Sequence, residues 1–153
     1  MFKIDQFAFT STARDADALL KLLGWTDWTT DEVVAQFVKS SSTNTARLSF
    51  NYAAAPGPVE VERLQYESGR NWLERPNRQV SVSHVGMHCT EDELAAWKAK
   101  LVAFGLNIVQ EVRTTSHTNP AIRGKRFYHY CIFGANHLLG FDLKFIVRED
   151  VEP

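Results

Sequence analysis

The sequence predicts an α+β fold in which two βαβββ modules form one curved mixed-sheet cup, with helices on the convex side. Two observations carry that expectation. The order strand, helix, strand, strand, strand can be read twice along the 153 residues, and polar landmarks recur at nearly equal offsets in the two halves, as a duplicated unit requires. The modules are placed at residues 1–75 and 76–153.

In the first module, residues 2–10 alternate as a strand, with Phe7 and Phe9 on one face and Ile4, Gln6 and Ala8 on the other. Thr12, with Asp15 three residues on, opens a helix in the manner of a capping box. Ala16, Leu19, Leu20 and Leu23 give it an apolar stripe, and Gly24 supplies the stop. Segments 33–39, 46–52 and 58–66 follow as strands, separated by Ser/Thr/Asn and Ala/Pro/Gly clusters.

After a polar stretch at 70–78 the pattern restarts. Residues 80–89 read as a strand; Thr90 and Glu93 form a capping box; Leu94, Trp97, Leu101 and Phe104 supply the stripe, and Gly105 ends the helix. Strands at 106–112, 126–133 and 139–147 complete the second unit.

Composition narrows the partners. Hydrophobic residues make up 44% and charged residues 23% of the chain, as in an ordinary globular protein. The formal net charge is -1 with Lys and Arg dispersed, so nothing draws the chain toward nucleic acid or an anionic membrane. Cys89 and Cys131 stand in apolar stretches without a CxxC spacing, which fits a reducing compartment and buried side chains in place of nucleophiles. The N-terminal MFKIDQFAFTST lacks the basic start and unbroken apolar run of a signal peptide, and no apolar run approaches the ~20 residues that span a bilayer. A cytoplasmic location is the expectation.

Gln6, Glu62, His84 and Asp142 occupy comparable places in the opening and closing strands of the two units. In GFDLKFIV, Phe141, Leu143 and Phe145 form the face that packs on a helix, which leaves Asp142 on the concave face. The same alternation turns Gln6 and His84 into the cup. Two carboxylates, an imidazole and an amide oxygen can hold a divalent cation and leave positions for water or a bidentate substrate. His88 lies too far along the strand from His84, about 13 Å, to share one ion with it. In the plainer reading of the same residues, Lys144 pairs with Asp142 or Glu62 as a structural ion pair.

The segments IDQFAF, VERLQY followed by Gly69, SHVGMH and GFDLKFI, taken in order, resemble the vicinal oxygen chelate superfamily of glyoxalases, ring-cleaving dioxygenases, epimerases and fosfomycin- or bleomycin-resistance proteins. The resemblance covers nearly the whole chain. It implies one divalent metal ion (Zn, Ni, Mn, Co or Fe(II)) held by Gln6, Glu62, His84 and Asp142, nearest to the Gln/Glu/His/Glu set of glyoxalase I enzymes. Asp142 is one methylene short of that set, so contact with the ion through a water, or only in some states, is expected. It also implies a homodimer.

The expected activity is that of a metal-dependent lyase or isomerase acting on a small molecule with vicinal oxygens, with Glu62 or Asp142 as the base. The alternative is a non-enzymatic small-molecule binding or sequestering protein; a ring-cleaving dioxygenase ranks lower because such sites present two histidines and one carboxylate. His117, His129 and Tyr66 are candidate pocket residues, although the Ser116–Pro120 segment also reads as a turn before a strand.

Overall fold

The computed structural model describes residues 1–11, 16–26, 28–36, 38, 43–51, 59–69, 80–116 and 118–151. The first half runs β1 (Gln6–Ser11), α1 (Ala16–Leu22), β2 (Thr29–Gln36), β3 (Thr43–Asn51) and β4 (Glu60–Gly69). The second runs β5 (Val80–His88), α2 (Glu91–Phe104), β6 (Ile108–Thr115), β7 (Arg126–Phe133), α3 (Asn136–Leu139) and β8 (Asp142–Asp150). The eight strands form one mixed sheet in the order β2-β3-β4-β1-β5-β8-β7-β6. Within each half the opening and closing strands pair in parallel, β1 with β4 and β5 with β8, while β1 and β5 pair antiparallel at the centre. The boundary expected near residue 75 falls outside the described residues.

The sheet curls until its two ends meet, giving the expected α+β cup. Val38 N–H donates to Val109 O across the gap at 3.1 Å. Asp31 on β2 accepts from Thr118 beyond β6, through the backbone N–H at 3.2 Å and Oγ1 at 2.9 Å. Burial by itself raises the Asp31 carboxyl, but donors from Ser116, Glu32 and Thr118 outweigh it and hold it below the usual carboxylate range.

Strand alternation divides the second half cleanly. Met87, Cys131, Phe133 and Phe145 turn to the convex side and pack with Leu94 and Leu106, flanked by Trp97 and Leu101. Val33, Tyr130, Ile132 and Ile146 turn into the cup and form a second apolar cluster that links β2 to β7 and β8. Helix α2 is held by the expected capping box: Glu93 N–H donates to Thr90 Oγ1 at 3.2 Å and Thr90 N–H to Glu93 Oε2 at 2.9 Å. Gly105 closes it with φ 105°, a left-handed conformation that favours glycine.

Three expectations need correction. Leu19 and Leu23 are exposed and only Leu20 of the α1 stripe is buried, because one short helix covers little of the sheet. Phe104 at the end of α2 is likewise exposed, since the helix has run past the apolar cluster. Residue 139 belongs to the one-turn helix α3, and β8 begins only at Asp142. The expected helix start at Thr12 and Asp15 and the polar stretch at 70–78 lie outside the described residues. No helix among the described residues is long and apolar enough to cross a membrane.

Candidate functional site

The floor of the cup is a buried polar centre built on the β4-β1-β5-β8 ladder. His84 Nε2 lies 3.0 Å from Gln6 Oε1 and 3.4 Å from Glu62 Oε2. Both neighbours are acceptors, which assigns the ring proton to Nε2 and leaves Nδ1 to accept from Ser83 Oγ at 3.1 Å. Gln6 Nε2 donates to the Glu60 carboxylate, so the amide orientation is fixed at both ends. Lys144 Nζ donates to Glu62 Oε2 at 3.3 Å and stands 5.1 Å over the Tyr130 ring. Glu62 and His84 are 0% exposed, Gln6 2% and Lys144 7%. Gly86 makes the arrangement possible: a Cβ there would meet Gln6 Oε1 at 2.9 Å.

These contacts set the charges. Burial raises the Glu62 carboxyl, but the Lys144 ammonium and the His84 N–H outweigh it and bring it to about 2. Burial, and then Lys144, push His84 down against the opposing pull of Glu62, so the imidazole is neutral. At the centre the Glu62 carboxylate therefore faces the Lys144 ammonium beside the neutral His84 and Gln6, and the Glu60 carboxylate is bound to the Gln6 amide.

Asp142 is not part of it. It shares a rung with His84, but its Oδ1 accepts from the backbone N–H of Ala135 and Asn136, each at 2.9 Å, and caps α3. Lys144, two residues further along the same strand face, reaches Glu62 instead. Alternation cannot separate positions two apart on one strand, so the sequence pattern alone does not choose between them. The plainer reading, a Lys144–Glu62 ion pair, describes the contact that forms.

The residues present do not fit the implied divalent ion. Glu62 Oε1 has no hydrogen-bond partner among the described residues, which leaves room for one added donor or cation. The charge opposes a cation: Glu62 already faces the Lys144 ammonium, and the Glu60 carboxylate is engaged by Gln6 Nε2. Among the described residues no group of three or more His, Cys, Asp or Glu side chains is arranged to hold a metal.

Above the floor lies a cavity of about 250 Å³. Gln6, Glu60 and Lys144 reach it from below, and Val33, Leu48, Tyr130 and Ile146 form much of its apolar wall. Arg126 and Arg148 also line it. Both contact Asp150, Arg126 through Nε and Nη2 and Arg148 at 3.5 Å, so two guanidiniums share one carboxylate, while Asp31 and Glu60 line the same cavity. His88 lines the cavity from β5; its Nδ1 lies 3.0 Å from Asp5 Oδ1, and its backbone N–H donates to the same carboxylate. Sequence reasoning passed over the rim arginines and the His88–Asp5 pair. Their signal was same-face alternation with Lys144 and with His84.

His129 is misplaced as a pocket residue. Its strand neighbours Tyr128 and Tyr130 line the cavity, whereas its ring is on the convex side, with Nδ1 2.9 Å from Glu91 and Nε2 3.0 Å from Glu111. It fastens the start of α2 to β6 and β7. His117 and the Tyr66 side chain lie outside the described residues. Burial pushes the Cys89 thiol up to about 11 and Cys131 up to about 12, so both stay protonated; Cys131 is buried as expected, Cys89 only half-buried.

The same fold occurs in enzymes. A methylmalonyl-CoA epimerase from Mycobacterium tuberculosis superposes with TM-score 0.54 at 10% identity, over 98% of this chain and 88% of that one. A triple mutant of 4-hydroxymandelate synthase from Streptomyces coelicolor matches with TM-score 0.58 at 8% identity, over 99% of this chain and half of that longer one. A methylmalonyl-CoA epimerase in complex with methylmalonyl-CoA and NH4+ matches with TM-score 0.53 at 9% identity, over 95% and 93%. The chain has the vicinal oxygen chelate fold. No protein-family model and no curated protein matches the sequence. At these identities the vicinal oxygen chelate likeness concerns the fold, and chemistry has to be argued from the cup itself.

Proposed function

We propose that the chain is an isomerase- or lyase-type enzyme for a small anionic molecule with adjacent oxygens, bound in the cup with those oxygens toward Gln6 and Lys144. The observation that carries this reading is the Lys144 ammonium, fixed by Glu62 at the floor of the cavity beneath an apolar wall of Val33, Leu48 and Ile146. A preorganised cation in a dry site stabilises negative charge as it develops on a substrate oxygen, which is what deprotonation of a neighbouring C–H requires. The Arg126 and Arg148 guanidiniums on the cavity wall offer contacts to an anionic substrate, and the solved epimerase complex with methylmalonyl-CoA and NH4+ makes acyl thioesters one class to test.

Neither expected base suits the task. Glu62 is held at about 2 and is a weak base, while Asp142 is committed to α3. His88 suits it better: it lines the cavity, Asp5 orients its ring through Nδ1, and it lies two residues along β5 from Gly86, the partner of Lys144. In the proposed step His88 takes the proton from carbon, Lys144 holds the resulting enolate oxygen, and the proton returns to another face or atom. The apolar wall of Val33, Leu48 and Ile146 favours a second reading, a binding protein that performs no chemistry.

Deuterium incorporation separates the two. Small 2-oxo acids, 2-hydroxy acids and methylmalonyl-CoA would be incubated with the protein in D2O and followed by NMR. Exchange at carbon is expected with the parent, abolished by Lys144→Met and reduced about 100-fold or more by His88→Gln. Saturable binding without exchange across the panel supports the binding protein and sinks the enzyme.

A further inference from the structure

We propose that Lys144 occupies the fourth ligand position of this fold's metal centre, so that the site is metal-independent and carries its cation as a side chain. This rests on the reading of the cup as the functional site but not on any turnover.

The strand ladders locate the position. Gln6 and His84 face one another across the antiparallel β1/β5 pair, each standing beside a Gly or Ala of the other strand: Gln6 opposite Gly86, and Ala8 opposite His84. In the parallel ladders Gln6 pairs with Glu60 and Ala8 with Glu62; His84 pairs with Asp142 and Gly86 with Lys144. Taking Gln6 and His84 as equivalents, Glu60 corresponds to Asp142 and Glu62 to Lys144. The contacts obey the same relation. Gln6 meets His84 across the seam, and Glu62 meets Lys144 across it. A site of the Gln/Glu/His/Glu kind would need its second carboxylate where this chain has an ammonium.

The surroundings suit the ammonium and disfavour an additional ion. Glu62 faces Lys144 at 3.3 Å and the Tyr130 ring at 5.1 Å offers it a negative π-face. A divalent ion on Glu62 would sit beside this buried ammonium, where like charges repel strongly, and the nearby Glu60 carboxylate is engaged by Gln6 Nε2. The His84 nitrogen that would have to donate a lone pair is the one assigned the proton, shared toward Gln6 Oε1 and Glu62 Oε2.

Metal titration tests this directly. The full chain is treated with chelator, then titrated calorimetrically with Zn, Ni, Mn, Co and Fe(II) salts, with elemental analysis of the product. No saturable site is expected in the parent, whereas Lys144→Glu should gain one site of about one ion per chain, lost again in the Glu62→Gln, Lys144→Glu double variant. A parent that takes up about one ion, lost on Glu62→Gln, overturns the proposal. So does a Lys144→Glu variant that is folded by circular dichroism yet takes no metal, because position 144 is then not a ligand position. Should that variant not fold, the parent titration still decides between a metal-free and a metal-bound centre. None of these readouts moves if deuterium exchange fails, and exchange can succeed in a protein that binds metal, so the two proposals stand or fall separately.

Discussion

At the scale of single residues the centre depends on one ion pair and one glycine. The Glu62 carboxyl is depressed from its ordinary 4.5 to about 2 in the folded protein. A depressed carboxylate stabilises the fold fully above its unfolded value and loses that contribution as pH falls from about 4.5 toward 2, a term of roughly 3 kcal/mol. Glu62→Gln should therefore cost about 3–5 kcal/mol in urea unfolding near neutral pH, since it leaves the Lys144 ammonium buried without its counter-charge. The Glu62→Gln, Lys144→Met double variant should recover much of that loss and show a flatter acid limb; equal losses in the two proteins would mean that the ion pair contributes little. Gly86→Ala drives a methyl into Gln6 Oε1, with an expected cost of about 1–3 kcal/mol and a shift in the His84 ring nitrogen resonances. An unmoved ring signal would show that Gln6 does not hold the imidazole. Gln6, Glu62 and His84 were legible as a converging set from strand alternation. Lys144 was legible only as a structural ion-pair partner of Asp142 or Glu62, because Asp142 and Lys144 share a face and the composition of a metal site favours the acid.

At the scale of elements, α2 carries its own instructions and α3 does not. Thr90→Ala removes the hydroxyl that accepts from Glu93 N–H and should cost about 1 kcal/mol, visible as a lowered melting temperature. His129 ties the same helix start to the sheet through Glu91 and Glu111, so His129→Gln should lower the melting temperature while ligand binding in the cup is preserved. Lost binding with an intact fold would return His129 to the pocket. The capping box, Gly105 and the apolar stripe made α2 readable almost to the residue. The four-residue α3 escaped because its N-terminus is capped from a distance: Asp142, on the following strand, accepts from Ala135 and Asn136. A cap supplied from outside the local window leaves no local signal. Helix α1 was readable by period, yet most of its stripe is exposed, since period reports which residues share a face and not whether anything covers it.

At the scale of the whole molecule the repeated strand order was the most legible feature, and closure of the cup the least. Two contacts cross the gap between the sheet ends, Asp31 receiving donors from Thr118 and Val38 N–H donating to Val109 O, between partners far apart in sequence with no motif in common. Asp31→Ala should speed amide hydrogen exchange in β2 and β6 and leave β1 and β5 unchanged; protection that stays equal in all four strands would show that the ends close without it. The opposite charges at positions 62 and 144 carry a consequence for how such a centre can arise. Two identical half-chains assembled about a two-fold axis present the same residue at equivalent positions, hence two acids or two amines, which repel. An acid facing an amine requires that the halves differ, and here one continuous polypeptide encodes both. The centre as it stands is thus an innovation open to a fused ancestor and closed to a homodimer of single modules.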